Sequence, residues 1–161
     1  MRISDVSQLT THQDYIDAFL SLIENTSRYL RIRSAYLDPS LFNEREVIEA
    51  ISQFARSSRF TEVHILLDYP EYLLRNGHRL LDLSRRLSHK ILIKEYYSDK
   101  IEQQESLIIS DCKGILIKYQ DADTPGLLSL TDAVTTKRLQ EAFVHDWERS
   151  SLARQLRQLS I

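Results

Sequence analysis

The 161-residue sequence is poor in glycine and cysteine. Its three glycines, Gly77, Gly114 and Gly126, are far apart in the chain. Loops that cradle nucleotide phosphates need several glycines close together, because the backbone has to approach the ligand. P-loop and dinucleotide-binding sites are therefore not expected. The one cysteine, Cys112, cannot form an internal disulfide and is typical of a protein in a reducing compartment.

Long apolar runs and a strong excess of one charge are also missing. No run of 18 apolar residues occurs, and the start, Met1 to Val6, lacks the apolar core of a signal peptide. We therefore expect a cytoplasmic protein without a membrane contact. The formal net charge of −2 provides no general attraction to nucleic acid. The length predicts a single domain over residues 1–161, with a polar lead-in at 1–10 and a C-terminal tail at 151–161.

Apolar periodicity predicts alternating helices and strands. Helices are expected at 12–26, 43–58, 70–88 and from Asp132 onward, and strands at 29–37, 63–69, 90–97, 107–110, 115–118 and 127–130. Thr11, Asn43 and Asp132 are the expected N-caps. This order predicts an α/β fold with a mixed sheet flanked by helices on both faces. The buried residues expected in the last helix are Val134, Leu139, Ala142, Phe143 and Trp147.

Two of these strands form a predicted hairpin whose turn is Asp111-Cys112-Lys113-Gly114, with Gly114 providing conformational freedom. The segment resembles the His-x-Lys-x4-Asp signature of the phospholipase D superfamily. The family's histidine falls on Gln104, its lysine on Ser106 and its aspartate on Asp111. The order of elements over 12–150 also resembles a half-molecule of that family. The chain is similar as well to a small uncharacterised bacterial group of such domains, sometimes attached to an acetyltransferase.

The resemblance implies a fold but not an activity. In the active family the histidine attacks phosphorus, the lysine holds the phosphate oxygens, and two motifs meet within one chain or across a dimer. Glutamine cannot replace that nucleophile, and serine cannot replace the cation. Asp111 remains, but an Asp-x-x-Gly turn is common for local hydrogen-bonding reasons. The resemblance thus implies a catalytically inactive domain that binds a partner, with a homodimer as the expected assembly and Leu152 and Leu156 of the tail as a second possible interface.

Two alternatives remain open. The first is a residual phosphate or nucleic-acid binder that uses Arg75, His78, Arg79 and Lys113. Asp82 interrupts the basic helical face, however, which favours a solvated ladder of ion pairs, and a lone histidine is more often bonded to a backbone carbonyl. The second alternative is a phosphodiesterase-type enzyme with a relocated site at Ser106 or His78.

No cofactor or metal is expected. The other histidines are scattered among different elements without the spacing of metal ligands. They are His12, His64, His89 and His145. Cys112 has no suggested partner for nucleophilic catalysis and is interpreted as a surface thiol.

Overall fold

The computed structural model of the chain describes residues 2–96, 105–111 and 113–153. Its strands are β1 Ser7–Leu9, β2 Tyr29–Ser34, β3 Glu62–Leu67, β4 Ile91–Glu95, β5 Glu105–Ser110, β6 Ile115–Tyr119, β7 Gly126–Ser129 and β8 Ser151–Leu152. Its helices are α1 His12–Glu24, α2 Pro39–Phe42, α3 Arg45–Arg56, α4 Glu71–Asn76, α5 Arg79–Arg86 and α6 Ala133–Arg149. The predicted α/β class is confirmed.

One sheet of eight strands runs in the order β1-β7-β6-β5-β2-β3-β4-β8. Strands β2, β3 and β4 are parallel to one another, and the other pairings are antiparallel. We call the edge where β2, β3 and β4 begin the amino edge. Its described segments are 2–6 before β1, the loops 25–28, 57–61, 87–90 and 130–132, and the β5–β6 turn from Asp111 to Gly114. The described loops of the opposite, carboxyl edge include 35–38, 68–70 and 120–125.

Helices cover both faces of the sheet. Alternating residues of β2, such as Leu30 and Ile32, point into the larger core, beneath α1, α2, α3 and α5. The second face is apolar on β5 and β6 and packs against Phe143 of α6. No helix among the described residues is long and apolar enough to cross a membrane.

The predicted helix 70–88 is wrong, because the structure breaks it into α4 and α5. Gly77, between them, has φ of 60°, a conformation that side-chain-bearing residues rarely adopt. His78 then caps α5, its ring accepting a hydrogen bond from the Leu80 amide. The leucine periodicity continues across the break, so the apolar pattern alone could not show it.

Several smaller expectations also differ from the structure. Asn43 ends α2, an element that the sequence pattern missed, rather than capping α3. Gly114 does not have a positive φ; it is needed because a Cβ at this position would collide with Leu22. Val134 is 74% exposed, and Ala142 is exposed as well.

The ends of the described chain take part in the sheet. Part of the polar lead-in forms β1, which pairs with β7. Leu152 of the predicted tail lies in β8, which pairs with β4. Leu156 lies outside the described residues.

Candidate functional site

Asp111, the surviving signature residue, holds the backbone at the start of β2. Its carboxylate accepts hydrogen bonds from the amides of Ser27 at 3.1 Å, Arg28 at 2.6 Å and Tyr29 at 2.9 Å. A carboxylate that accepts several amide hydrogen bonds forms strong, charge-assisted contacts. Asp111 therefore fastens the loop between α1 and β2 to the β5–β6 turn, at the amino edge.

Ser106, at the position of the family's lysine, lies at the other end of β5. It is 8% exposed, and its hydroxyl is 2.9 Å from the hydroxyl of Ser34. Ser34 in turn accepts a hydrogen bond from the Leu37 amide. The hollow beside these serines has a volume of about 20 Å³, which is room for about one water molecule. Gln104, at the position of the histidine, lies outside the described residues.

The walls of this hollow carry carboxylates. Glu105 is half-buried, and burial raises the pKa of its carboxyl group. Burial also favours the neutral form of the Asp38 carboxyl group, but hydrogen bonds from Lys118 and Ser40 hold the pKa of this group below the usual range. Burial, and then the charge of Asp38, raise the pKa of Tyr36. A phosphate here would be repelled by two carboxylates.

Lys118 is a cation of this site that sequence reasoning missed. It lies directly across from Ser106 in the pairing of β5 and β6, and its ammonium group is 2.8 Å from Asp38. The same ammonium group lies 5.2 Å from the centre of the Tyr15 ring. The hairpin register contains the signal, since counting outward from the turn pairs residue 106 with residue 118. Lys118 is already neutralised by Asp38, so it does not replace the family's phosphate-binding lysine.

His78 is a structural residue of the carboxyl edge. Its Nδ1 accepts from the Leu80 amide, so Nε2 bears the proton and donates to the Leu37 carbonyl at 3.2 Å. Leu37 has φ of 59°, which is strained for a residue with a branched side chain. Through Leu37, the histidine is linked to the Ser34 and Ser106 hydroxyls. Both ring nitrogens are occupied, and burial lowers the pKa of the ring.

The structure does not bring Arg75, His78, Arg79 and Lys113 together. Arg75 and Arg79 are exposed near the carboxyl edge, on either side of the buried His78. Lys113 lies at the amino edge, at the far end of the sheet. A shallow hollow of about 290 Å³ is lined by Arg79, Arg45 and Arg86 together with Asp82 and Glu49, and it contains none of the other three predicted residues. No single phosphate could contact all four predicted residues.

A polar layer beneath α6 also escaped sequence reasoning. Arg33 forms a buried ion pair with Asp68 at 2.6 Å. The neighbouring Arg31 is 7% exposed, and its Nε and Nη1 have no hydrogen-bond partner. The His64 ring stacks on Trp147, with ring centres 4.5 Å apart. Cationic residues in β2 alternate with apolar ones, and this alternation could have indicated that the second face of the sheet is polar at β2.

Metal binding receives no support from the described part of the chain. It contains no group of three or more histidine, cysteine, aspartate or glutamate residues that could hold an ion. Cys112 lies outside the described residues.

Known structures share this fold. Over 92% of the chain it is similar to Nuc from Salmonella typhimurium, a phospholipase D family member, with 14% identity, 97% of Nuc covered and a TM-score of 0.61. NucT from Helicobacter pylori is similar over 92% of this chain and 97% of its own, with 17% identity and a TM-score of 0.60.

A third similar structure is TrmBL2, an archaeal chromatin protein that binds DNA, with 14% identity and a TM-score of 0.65. The similarity covers 94% of this chain but only 54% of TrmBL2. These likenesses establish a phospholipase D-like fold. No curated protein matches the sequence. Residues 11–159 match one family profile, and the chain therefore belongs to DUF7931, a domain of unknown function.

Proposed function

We propose that this chain is a catalytically inactive phospholipase D-like domain that acts as an interaction module and forms a homodimer. The observation that carries the proposal is the state of Ser106, whose hydroxyl is buried and bonded to Ser34 where the family has a lysine. The single cysteine supports a reducing, cytoplasmic setting for the domain.

The dimensions of the hollow support the loss of phosphoryl transfer. A volume of about 20 Å³ holds about one water molecule and excludes a phosphodiester. Catalysis of this kind depends on a nucleophile and on cations that stabilise the charge of the transferred group. In the described part of the chain, the lysine beside the hollow, Lys118, is paired with Asp38.

Tyrosines around the carboxyl edge support an interaction surface. Tyr72 is 38% exposed, and its ring lies 4.9 Å from that of Tyr36. Tyr69 is also exposed. Tyrosine is enriched at protein interfaces, because its ring buries a large apolar area while its hydroxyl can still find a partner. The phospholipase D resemblance implies pairing of domains on the side of the signature hairpin, and the carboxyl edge contains the first residues of β5.

A panel of phosphodiesters tests the loss of activity. We expect no turnover above background for aryl phosphodiesters, phospholipids or oligonucleotides. The Ser106→Ala variant removes only the hydroxyl and should keep the fold. Turnover by the parent chain that disappears in Ser106→Ala would contradict the proposal, because it would show a relocated nucleophile.

Light scattering over a range of concentrations tests the dimer. We expect a concentration-dependent mass that reaches twice the chain mass, and Tyr72→Ala should weaken association by about tenfold, as is usual for a central interface residue. Val134→Ala, which truncates an exposed apolar residue of α6, is the matched control. A monomeric mass at the highest concentration would refute the homodimer.

A further inference from the structure

We propose that the amino edge binds single-stranded nucleic acid through Arg28, Arg59, Phe60 and Lys113. This inference goes beyond the proposed function and does not depend on it, because it concerns the opposite end of the sheet from Ser106 and its hollow. It also uses a different set of residues from the one that the sequence indicated. Only Lys113 is common to both.

Alternating guanidinium groups and aromatic rings form a ladder at this edge. Arg31 and Arg28 lie over the Tyr29 ring, with Cζ atoms 4.7 and 5.3 Å from its centre. Arg28 and Arg59 lie over the Phe60 ring at 5.6 and 4.7 Å. Phe60 is 54% exposed, the most of any phenylalanine among the described residues. The ladder thus ends at the surface in an aromatic ring between two cations.

The loops that display this ladder are firmly held. Thr61, next to Phe60, donates through its hydroxyl to the carbonyls of Ala55 and Ser58. The Phe60 amide donates to the Ser58 hydroxyl, and the Lys90 ammonium group donates to the carbonyls of Ser58 and Thr61. Phe60 is therefore exposed on an ordered turn with two guanidinium groups over its ring, and this presents the ring in a fixed position for stacking.

Asp111 holds the second loop of the ladder. Its carboxylate accepts hydrogen bonds from the amides of Arg28 and Tyr29, and both residues belong to the ladder. The residue that remains from the catalytic signature thus positions part of the inferred surface. Its carboxylate is engaged with backbone amides, and the Arg28 side chain is left over the rings.

The charge of the amino edge is opposite in sign to that of the whole chain. Its described segments contain five cations and three carboxylates, whereas the chain has a formal charge of −2. The cations are Arg2, Arg28, Arg59, Lys90 and Lys113, and the carboxylates are Asp5, Asp111 and Asp132. The described loops 35–38, 68–70 and 120–125 of the carboxyl edge contain four aspartates and no lysine or arginine: Asp38, Asp68, Asp121 and Asp123. An anionic polymer would therefore be attracted to the amino edge and repelled by the other.

Some cations of the amino edge stabilise the ends of helices instead of binding a ligand. Helices α1, α3 and α5 end at the amino edge, and cations stabilise the partial negative charge of helix C-termini. Lys90 has this role, since it donates to carbonyls that follow α3. Arg28 and Arg59 do not, because their guanidinium groups lie over aromatic rings and form no salt bridge with a described residue.

The chemistry of the ladder favours single strands over other anionic partners. Unpaired bases can stack on an exposed aromatic ring while neighbouring arginines contact phosphates. In a duplex the base faces are stacked on one another and are not available to Phe60. Binding to an anionic membrane would require a wider apolar face than one phenylalanine provides.

Fluorescence anisotropy with labelled single strands of about 20 nucleotides, at about 50 mM salt, tests the inference. We expect saturable binding of single-stranded DNA and RNA that weakens as salt increases. Phe60→Ala should weaken binding by about tenfold, the usual loss for one stacked base, and Phe60→Tyr should retain it. Arg28→Gln with Arg59→Gln should reduce the slope of log K against log salt by about 1.4, because two phosphate contacts are lost.

Matched variants complete the design. Lys137→Gln with Arg138→Gln removes two exposed charges from α6, and Val134→Ala removes an exposed apolar side chain there. Both should bind as the parent does, and circular dichroism should show that every variant is folded. Tyr72→Ala should impair only the dimer, so a failure here is distinct from a failure of the proposed function.

Four results would overturn the inference. These are an absence of binding at low salt, an unchanged affinity in Phe60→Ala, a greater loss in Arg75→Gln with Arg79→Gln than in the amino-edge pair, and binding of phosphatidylserine vesicles without binding of single strands. The third would instead support the residues that the sequence indicated.

Discussion

Arg31 and Arg33 lie two residues apart on the same face of β2, but their surroundings differ. Arg33 donates to Asp68 and to the Leu66 carbonyl. Arg31 is equally buried, but two of its nitrogens have no acceptor. Burial lowers the pKa of Arg31, and the charge of Asp111 opposes this change. An unsatisfied buried donor costs free energy that a satisfied one does not.

We predict opposite effects of methionine at these two positions. Arg31→Met should raise the free energy of unfolding by about 1 kcal/mol, because the removed desolvation cost exceeds the lost contact with Tyr29. Arg33→Met should lower it by about 3–5 kcal/mol, because Asp68 is left buried without its partner. Urea unfolding measures both. Equal losses in the two variants would show that the Nε and Nη1 atoms of Arg31 are satisfied in solution.

His78 should make stability depend on pH. Burial lowers the pKa of its ring below the ordinary histidine value of 6.5, so between the two pKa values the unfolded chain binds a proton that the folded chain does not. The contribution of His78 is therefore complete above pH 6.5 and decreases as pH falls toward the folded pKa, with a limiting slope of about 1.4 kcal/mol per pH unit. Burial has the same effect on His64, so the contribution of His78 has to be isolated by substitution.

The test is the difference between the parent chain and His78→Gln. Glutamine can keep both hydrogen bonds, donating to the Leu37 carbonyl and accepting from the Leu80 amide, but it does not titrate. The free energy of unfolding, measured by urea between roughly pH 7.5 and pH 5, should fall less steeply in the variant. The exposed His89→Gln is the control for the loss of one titratable group. A slope as steep in His78→Gln as in the parent would contradict this assignment.

Individual site residues were only partly predictable. The position of Asp111 followed from the signature pattern, and its structural interpretation agrees with the three amide contacts. The roles of Lys118 and of the ladder residues depend on contacts between segments far apart in the sequence, such as Arg28 with Phe60. A single sequence does not specify such contacts.

Individual elements were predictable where the pattern was local. The capping box of Thr11 and Asp14 and the cap at Asp132 are both present, since each depends on residues three apart. Alternation predicted β2, and short apolar runs predicted β3 and the hairpin, all to within a few residues. The break at Gly77 was missed because it depends on distant groups, the Leu37 carbonyl bound by His78 and the Asn43 side chain bound by the Arg79 amide.

Substitution of Gly77 tests whether its positive φ is required for the break between α4 and α5. Gly77→Ala should lower the free energy of unfolding by about 1–2 kcal/mol, because φ of 60° is strained for alanine. Crowding does not contribute, since a Cβ here would meet nothing within 4 Å. Gly77→Asn is the control and should lose less, because asparagine tolerates positive φ better. If the Gly77→Ala variant is as stable as the parent chain in urea unfolding, the junction between α4 and α5 has another conformation in solution.

In the whole molecule, the nucleic-acid surface that we propose lies at the edge opposite to the one that α/β folds usually use. Open α/β sheets usually bind ligands at the carboxyl ends of their strands. In this chain that edge holds a hollow of only about 20 Å³, carboxylates and tyrosines, while the amino edge is basic and displays Phe60. Overall charge could not reveal this division, because the two edges offset one another in the sum.

The two faces of the sheet are also unequal, and this should appear in the dynamics. Several helices pack on the larger core, whereas the second face rests on α6, which has only three buried residues: Thr135, Thr136 and Phe143. An element with few buried contacts opens before the rest of the molecule. We therefore predict that amide hydrogens of α6 exchange through an opening of lower free energy than those of β2 and β3.

Phe143→Ala should separate these two openings further. Truncating a buried phenylalanine costs about 3–5 kcal/mol, and here the loss should fall mainly on the docking of α6. Hydrogen exchange followed by mass spectrometry should show a much faster exchange of α6 and a smaller change in β3. Val134→Ala, on the same helix but 74% exposed, should leave both unchanged. If α6 and β3 exchange with one common free energy in the parent chain, the molecule opens as a single unit, and the second face is as firmly closed as the first.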